Sequence, residues 1–259
     1  MAQSYDQIGA SYNSTRIADQ RIVTRLVELI ELPTGSRLVD IGAGTGNYSQ
    51  ALVEAGFNVS AVEPSAVMRD QGKESYSLSW HEGRAEDLPL LSGDFDAAEM
   101  ALCIHHTPDW CRALQEAMRV TDQGPLVIFM FDIEFKHDFW LYEYFPELVV
   151  IDATLKPDLH DLKTFVYCEL ERSFYLESFL LPHFLSDHFL CADWARPQNY
   201  LRADIQAGIS SFHKLDEYAR SEGLERLVRD INDVRCSSKY GKLLKQESID
   251  YGYRFVRIG

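Results

Sequence analysis

Apolar residues recur at helical spacing between Asp19 and Leu32, at Ile22, Leu26 and Ile30, and Pro33 closes the segment. That predicts a helix with one buried stripe. The pattern then changes period. "SRLVDIG" is a short apolar run ending in glycine, as expected of a strand covered on both faces. "NYSQALVEAG" reads as a helix stopped by Gly56, "NVSAVEP" as a second strand and "SAVMRDQGK" as a further helix. "SYSLSWHEG" is a candidate third strand, "FDAAEMAL" a fourth and "PLVIFMFD" a fifth. Between the last two, Asp109 is placed to cap a helix carrying Trp110, Ala113, Leu114 and Ala117, which ends near Gly124. Strand and helix thus alternate from Ser36 to Asp132, which predicts an α/β fold with right-handed crossovers and a parallel sheet. In such sheets ligands bind beyond the carboxyl ends of the strands.

The alternation breaks after Asp132. "FKHDFWLYEYFPELVV" is rich in aromatics, "DLHDLKTFVYCEL" looks helical, and "ERSFYLESFLLP" has the character of an edge strand. "KLDEYARSEGLERLVRDIND" is a long helix and "SIDYGYRFVRIG" a closing strand. The expected organisation is a cofactor-binding core with an N-terminal cover over residues 1–132, a substrate-covering insertion over 133–211, and a helix and strand over 212–259 that complete the core.

Composition narrows the partners. With 25 Lys and Arg against 40 Asp and Glu the formal net charge is −15. Such a surface repels phosphate backbones and anionic lipid, so neither nucleic acid nor a membrane is an expected partner. The five cysteines are scattered without a CxxC pair, which reads as reduced thiols in a cytoplasmic protein. The segment "MAQSYDQIGASYNSTR" has no apolar signal core, and the longest apolar run, "PLVIFMF", is far too short to cross a bilayer.

Candidate chemistry starts at "VDIGAGTGNYSQAL", Val39 to Leu52. A diphosphate-binding dinucleotide loop wants G-x-G-x-x-G. Here the spacing is G-x-G-x-G, and Asn47 stands where the last glycine of that pattern would be. The loop still admits a ligand close to the main chain at Gly44 and Gly46, because no Cβ intervenes. Glu63 ends the second strand, 23 residues after Asp40, where a carboxylate accepts both hydroxyls of a ribose. "GRAEDLPL" follows the third strand, where an adenine would rest. Together these suit a nucleoside without phosphate, carrying a short amino-acid tail.

At these residues the chain resembles the class I S-adenosylmethionine-dependent methyltransferases, particularly the small-molecule branch with ubiquinone-type and natural-product enzymes. The resemblance covers Tyr5 to Gly124, through "VDIGAGTG", "AVEPS", "GRAEDLP", "FDAAEMALCIHHTPD" and "ALQEAMRV". It implies a doubly wound, mostly parallel, seven-stranded Rossmann-like sheet with an antiparallel closing strand and an inserted lid. It also implies S-adenosyl-L-methionine as cofactor. Asp40, Gly42, Ala43, Gly44 and Gly46 would surround its methionine portion and Glu63 its ribose, with Pro64 and Met68 beside them. Ala85 and Glu86 would flank adenine, and Met100 and Ala101 would lie under the sulfonium. Many members have an aspartate where Arg84 stands, so Glu86 or main chain takes over that contact. "YDQIGASYNSTR" resembles the segment that folds over the cofactor, making Tyr5, Tyr12 and Arg16 candidates, with Arg16 facing the cofactor carboxylate.

Methyl transfer from a sulfonium needs orientation, desolvation and sometimes a base, but no protein nucleophile. The sequence signals none: it has no G-x-S-x-G elbow. His105 and His106 follow the fourth strand and are the candidate general bases, His105 ahead of His106. His183 and His188 match no zinc pattern, so no metal is expected. Phe139, Trp140, Tyr142, Tyr144 and Phe145 stand between core and pocket roles; Trp194, Arg196 and Tyr200 are weaker pocket candidates. The expected activity is methyl transfer to an O, N, S or C atom of a small molecule, by a monomer or homodimer. The alternatives are an NAD-dependent oxidoreductase, against which Asn47 argues, and a non-catalytic nucleoside-binding protein of the same fold.

Overall fold

The computed structural model describes residues 14–132, 135 and 139–259, so Tyr5 and Tyr12 lie outside the described residues. Seven strands form one sheet in the order β3-β2-β1-β4-β5-β9-β6. They are β1 (Arg37–Ile41), β2 (Asn58–Glu63), β3 (Ser79–Glu82), β4 (Ala97–Ala101), β5 (Leu126–Phe131), β6 (Phe174–Ser178) and β9 (Tyr253–Ile258). β7 (Leu181–Pro182) and β8 (Ser248–Ile249) pair separately. β1 to β5 run parallel, and β9 is antiparallel to both β5 and β6. The closing strand therefore slots between two others, and "ERSFYLESFLLP" supplies the edge.

Period-two alternation sends neighbouring side chains of the central strands into two apolar layers. Leu38, Ala97, Val127, Phe129 and Phe255 enter one layer; Val39, Ala98, Ile128, Met130 and Val256 enter the other. The first is covered by α1 (Gln20–Ile30) and α2 (Asn47–Glu54). After α3 (Ala66–Ser75), the second layer is covered by α4 (Trp110–Thr121). Asp19, Ser65 and Asp109 cap α1, α3 and α4 by accepting a main-chain N–H of the first turn, which satisfies donors the helix itself leaves orphaned. α2 has no side-chain cap and begins after Gly46, at the carboxyl end of β1.

Beyond β5 lie α5 (Glu147–Asp152), α6 (Leu159–Cys168), α7 (Ala203–Ala207) and the long α8 (Glu217–Asn232). The segment expected as a cover is not wholly one. Leu162 and Val166 of α6 join the second layer, and β6 joins the sheet, since the chain must cross the sheet before it can pair with β9. Conversely, α8 packs on the cover: a Cβ at its Gly223 would stand 2.3 Å from the Phe145 ring. The aromatics after β5 form the core of this layer. Phe139, Trp140, Tyr144 and Phe145 are buried. The Trp140 indole N–H donates to the Trp194 carbonyl at 2.8 Å, and the Tyr200 hydroxyl to the Leu190 carbonyl at 2.7 Å. Trp194 and Tyr200 are likewise core residues rather than pocket walls. Among the described residues no helix is long and apolar enough to cross a membrane.

Candidate active site

The loop from β1 to α2 closes onto the end of β2, where the Gly42 and Ala43 N–H groups both donate to the Val62 carbonyl, at 2.9 and 3.1 Å. Gly42 and Gly46 hold φ of +78° and +81°, conformations that L side chains rarely adopt. Their surroundings differ. A Cβ at Gly42 would meet the Cys103 side chain at 2.9 Å, while one at Gly46 would meet Leu78 and Trp80 at 2.9 Å. Gly46 thus makes room for an indole behind the loop, and it does not line the cavity.

Asn47 has a task of its own. Its amide N–H₂ donates to the Arg16 carbonyl and, at 3.1 Å, to Thr45 Oγ1, and its carbonyl accepts from the Tyr76 hydroxyl at 2.7 Å. The position that a dinucleotide loop leaves open is used here to clamp the chain near Arg16 over the loop.

A cavity opens in front of Gly42, Ala43, Gly44 and Thr45. Glu63, 7% exposed, is one of the buried carboxyl groups lining it, with Asp187. Glu63 Oε2 accepts the Gly44 N–H at 3.0 Å and Oε1 the Ser65 N–H at 2.8 Å. Burial pushes its carboxyl up to about 7 despite those two hydrogen bonds. A carboxylate can take about four donors, so acceptor capacity remains for ligand hydroxyls. Pro64, Met68, Ala85, Glu86 and Ala101 line the same cavity, giving a slot with both apolar and polar walls. Of its two arginines, Arg16 is engaged by Asp187, and Arg84 is exposed beside Glu86 at 3.5 Å. A diphosphate would find little to neutralise it; a nucleoside with two ribose hydroxyls fits the donor set.

Two of the expected cofactor contacts, Met100 and Asp40, do not line this cavity. Met100 is fully buried in the second apolar layer. Asp40 is buried behind the loop, accepts the Ser49 hydroxyl, and stands in register with Glu99 on the next strand. Both Glu99 carboxyl oxygens are buried without a hydrogen-bond partner among the described residues. Burial and the neighbouring Asp40 carboxyl push Glu99 well above the usual carboxylate range, and burial raises Asp40 as well. Two such groups side by side favour sharing one proton. The pair supports the loop from beneath.

Arg16 reaches the cavity, but its charge is balanced within the protein. Its guanidinium pairs with fully buried Asp187 and donates to the Gly208 carbonyl at 3.0 Å. Asp187 also accepts the Tyr48 hydroxyl at 2.9 Å. These contacts tie the start of the described chain to α2 and to the segment after β5, with Arg16 still lining the cavity. Neither Tyr48 nor Asp187 carries a local sequence signal, because the ring–carboxylate contact spans 139 residues.

A second cavity adjoins the first and shares Arg16, Leu102 and His106 with it. Leu102 holds φ of +53° at the end of β4, the kind of strained backbone that clusters at functional sites. His105 opens only into the second cavity. The two imidazoles lie 3.9 Å apart between ring centres. Enclosure by protein brings His105 down to about 4 and His106 well below its usual value, assisted by the charges of Lys214 and Arg16. Both are therefore neutral at pH 7. His105 Nδ1 is buried without a partner among the described residues. His183 packs edge-on against Trp194, and His188 bonds Asp193 at 2.6 Å. Among the described residues no group of three or more His, Cys, Asp or Glu is placed to hold a metal.

The family described as "Methyltransferase domain" matches residues 39–129, the stretch from β1 to β5. A crystal structure from Anabaena variabilis, of a protein ascribed to the methyltransferases of an antibiotic biosynthesis pathway, is 40% identical. It aligns with a TM-score of 0.89 over 95% of this chain and 99% of that one. A malonyl-[acyl-carrier protein] O-methyltransferase of Pectobacterium atrosepticum is 29% identical over 130 residues, 50% of this chain and 51% of the relative. A demethylmenaquinone methyltransferase of Paenarthrobacter aurescens is 29% identical over 113 residues, 43% and 44% of the two chains. The match thus spans about half the length of these curated relatives.

Proposed function

Because the chain belongs to the class I S-adenosylmethionine-dependent methyltransferases, we propose that its larger cavity holds the cofactor and that the adjoining one holds a small-molecule methyl acceptor. The observation that carries this reading is the pair of cavities meeting at Leu102 and His106, with the Glu63 carboxyl in the first, where the arginines among the described lining residues, Arg16 and Arg84, each stand beside a carboxylate. S-adenosylmethionine supplies a methyl group already activated on a sulfonium. Everything else falls to the protein.

In this reading Glu63 accepts the two ribose hydroxyls, Ala85 and Glu86 flank the base, and the Gly42–Gly44 main chain faces the amino-acid tail. Ala101 and Leu102 lie where the two cavities meet. His106, on the wall between them, and His105 beyond it present neutral rings. They act as hydrogen-bonding groups that orient the acceptor, since a base held near 4 is a weak proton sink at pH 7. The cover excludes water, which strengthens each of these contacts. A small acceptor is favoured over a macromolecule because the stretches around Asp152, Phe189 and Gly208 line the second cavity together with His105 and His106.

Titration calorimetry tests the cofactor reading through its pH dependence. The ionised form of Glu63 accepts the ribose, so affinity for S-adenosylmethionine or S-adenosylhomocysteine is full above pH 7. It weakens about tenfold for each unit below. Glu63→Gln flattens that dependence. Stability of the ligand-free protein runs the other way: a carboxyl raised by folding contributes fully below its unfolded value, and the contribution is lost as pH rises through about 7. Tight NAD binding with none of either nucleoside, or an affinity constant between pH 5.5 and 8, overturns the reading. Methyl transfer itself is read by a donor assay over small phenols, amines, thiols and carboxylates.

A further inference from the structure

We propose that Asp152, on the cover, is the proton-accepting group of the acceptor cavity, and that the acceptor is a small molecule presenting an acidic hydroxyl of the phenol or enol type on an apolar body. The inference rests on the reading of the neighbouring cavity as the cofactor site. Its starting point is a buried carboxyl group far from any catalytic motif: Asp152 is 6% exposed, ends α5, and opens into the second cavity with His105 and His106. Its Oδ2 accepts the Tyr142 hydroxyl at 2.9 Å, and Ser211 gives a second hydrogen bond. Among the described residues no arginine or lysine is paired with it; Lys214 acts on it only through its field. A carboxyl group buried in this way without an ion-pair partner is costly to keep unless it serves a ligand.

The cavity walls indicate the class of ligand. Phe131, Leu155, Phe189, Leu190 and Ile209 are apolar. The polar groups facing an occupant from the packed elements are His105, His106, Asp152, Ser210, Ser211 and Tyr253, with Arg16 already neutralised by Asp187. An anionic acceptor would meet Asp152 with no cation to offset it. An ammonium would be welcomed, but a carboxylate beside it holds it protonated, without the lone pair that methyl transfer uses. A hydroxyl escapes both difficulties. It donates to Asp152, and it can serve the partnerless His105 Nδ1 in either tautomer, since it both donates and accepts. An aliphatic alcohol holds its proton too tightly for a carboxylate to take, whereas a phenol or enol lies closer.

Burial and the two donors leave Asp152 at about 6, nearer neutrality than either histidine, which suits a base working around pH 7. In the transfer, an oxygen lone pair makes the new C–O bond and the pair of the broken C–S bond stays on the departing sulfur. The electrons of the O–H bond remain on oxygen. The proton goes to the Asp152 carboxylate and from there to solvent, so charge is conserved.

The test uses the full chain loaded with S-adenosylhomocysteine and three ring probes: 4-methylphenol, benzylamine and benzoate. The phenol is expected to bind about tenfold more tightly than the other two, as a charge-assisted hydrogen bond predicts. Its affinity should rise as pH passes upward through 6. Asp152→Asn keeps the shape and leaves S-adenosylhomocysteine affinity and melting temperature near the parent, which shows that it folds. It should remove the pH step and lower methyl transfer to 4-methylphenol by about a hundredfold or more. Tyr142→Phe takes away one donor to the carboxylate and should move the pH midpoint upward, a shift that a merely structural role would not produce. Equal phenol binding by parent and Asp152→Asn, preference for benzylamine or benzoate, or no probe binding to the loaded protein overturns the proposal. Failure of S-adenosylhomocysteine itself to bind is a different result: it strikes the cofactor reading, and this inference falls with it.

Discussion

Glu63→Ala is expected to lower affinity for S-adenosylhomocysteine by on the order of a hundredfold to a thousandfold at pH 8, the loss of two hydrogen bonds from hydroxyls to a charged, buried acceptor. The side chain does more than wait for ligand. It holds the Gly44 and Ser65 N–H groups at 3.0 and 2.8 Å, so its removal also loosens the loop that faces the cofactor's tail. Glu63→Gln separates the two contributions. A glutamine oxygen can still accept from one main-chain N–H and one hydroxyl but brings no charge, and an intermediate loss is expected. Titration calorimetry on both variants reads the difference. A change below threefold for the alanine variant would remove Glu63 from the site.

The second large effect is on stability. Asp187 is fully buried between the Arg16 guanidinium, 12% exposed, and the Tyr48 hydroxyl. Asp187→Ala leaves a buried cation and a phenol without their acceptor, at a cost of about 3–5 kcal/mol. For a chain of this size that corresponds to roughly 10 °C in melting temperature. The exposed pair Lys239–Glu143 is the control, with both side chains more than half exposed. Glu143→Ala should cost no more than about 1 kcal/mol. If thermal unfolding shows similar small shifts for both variants, Asp187 does not tie the cover to the core. Cofactor affinity should also fall in Asp187→Ala, because Arg16 borders both cavities.

How far the sequence revealed this depends on the range of each interaction. β5 announces itself as an unbroken apolar run, "LVIFMF", because burial on both faces leaves no position for a polar side chain, and β1 keeps Leu38, Val39 and Ile41 around the one buried carboxyl group of Asp40. The glycine loop and Glu63 are legible for a similar reason: a loop at the end of one strand and a carboxylate at the end of its neighbour are fixed by the sheet. Which glycine faces ligand is not. Gly44 fronts the cavity while Gly46 yields space to Trp80, some thirty positions along the chain, and nothing local distinguishes them. Asp40 reads as a ligand contact from its place in the motif, yet it accepts the Ser49 hydroxyl and stands beside Glu99 of the neighbouring strand. Arg16 is recognisable as a cation beside the site but not as the partner of Asp187. Asp152 leaves no trace in the pattern at all, since it ends a six-residue helix and acquires its surroundings from β5, β9 and the cover. Side chains set by strand order were readable; those set by how the cover folds back were not.

The most direct measurement is a crystal structure of the full chain with S-adenosylhomocysteine. The account predicts adenosine along Ala85 and Glu86, both ribose hydroxyls within 3.2 Å or so of the Glu63 carboxylate, and the sulfur beside Ala101 and Leu102 where the two cavities join. Ligand density elsewhere, or a ribose turned away from Glu63, would contradict it.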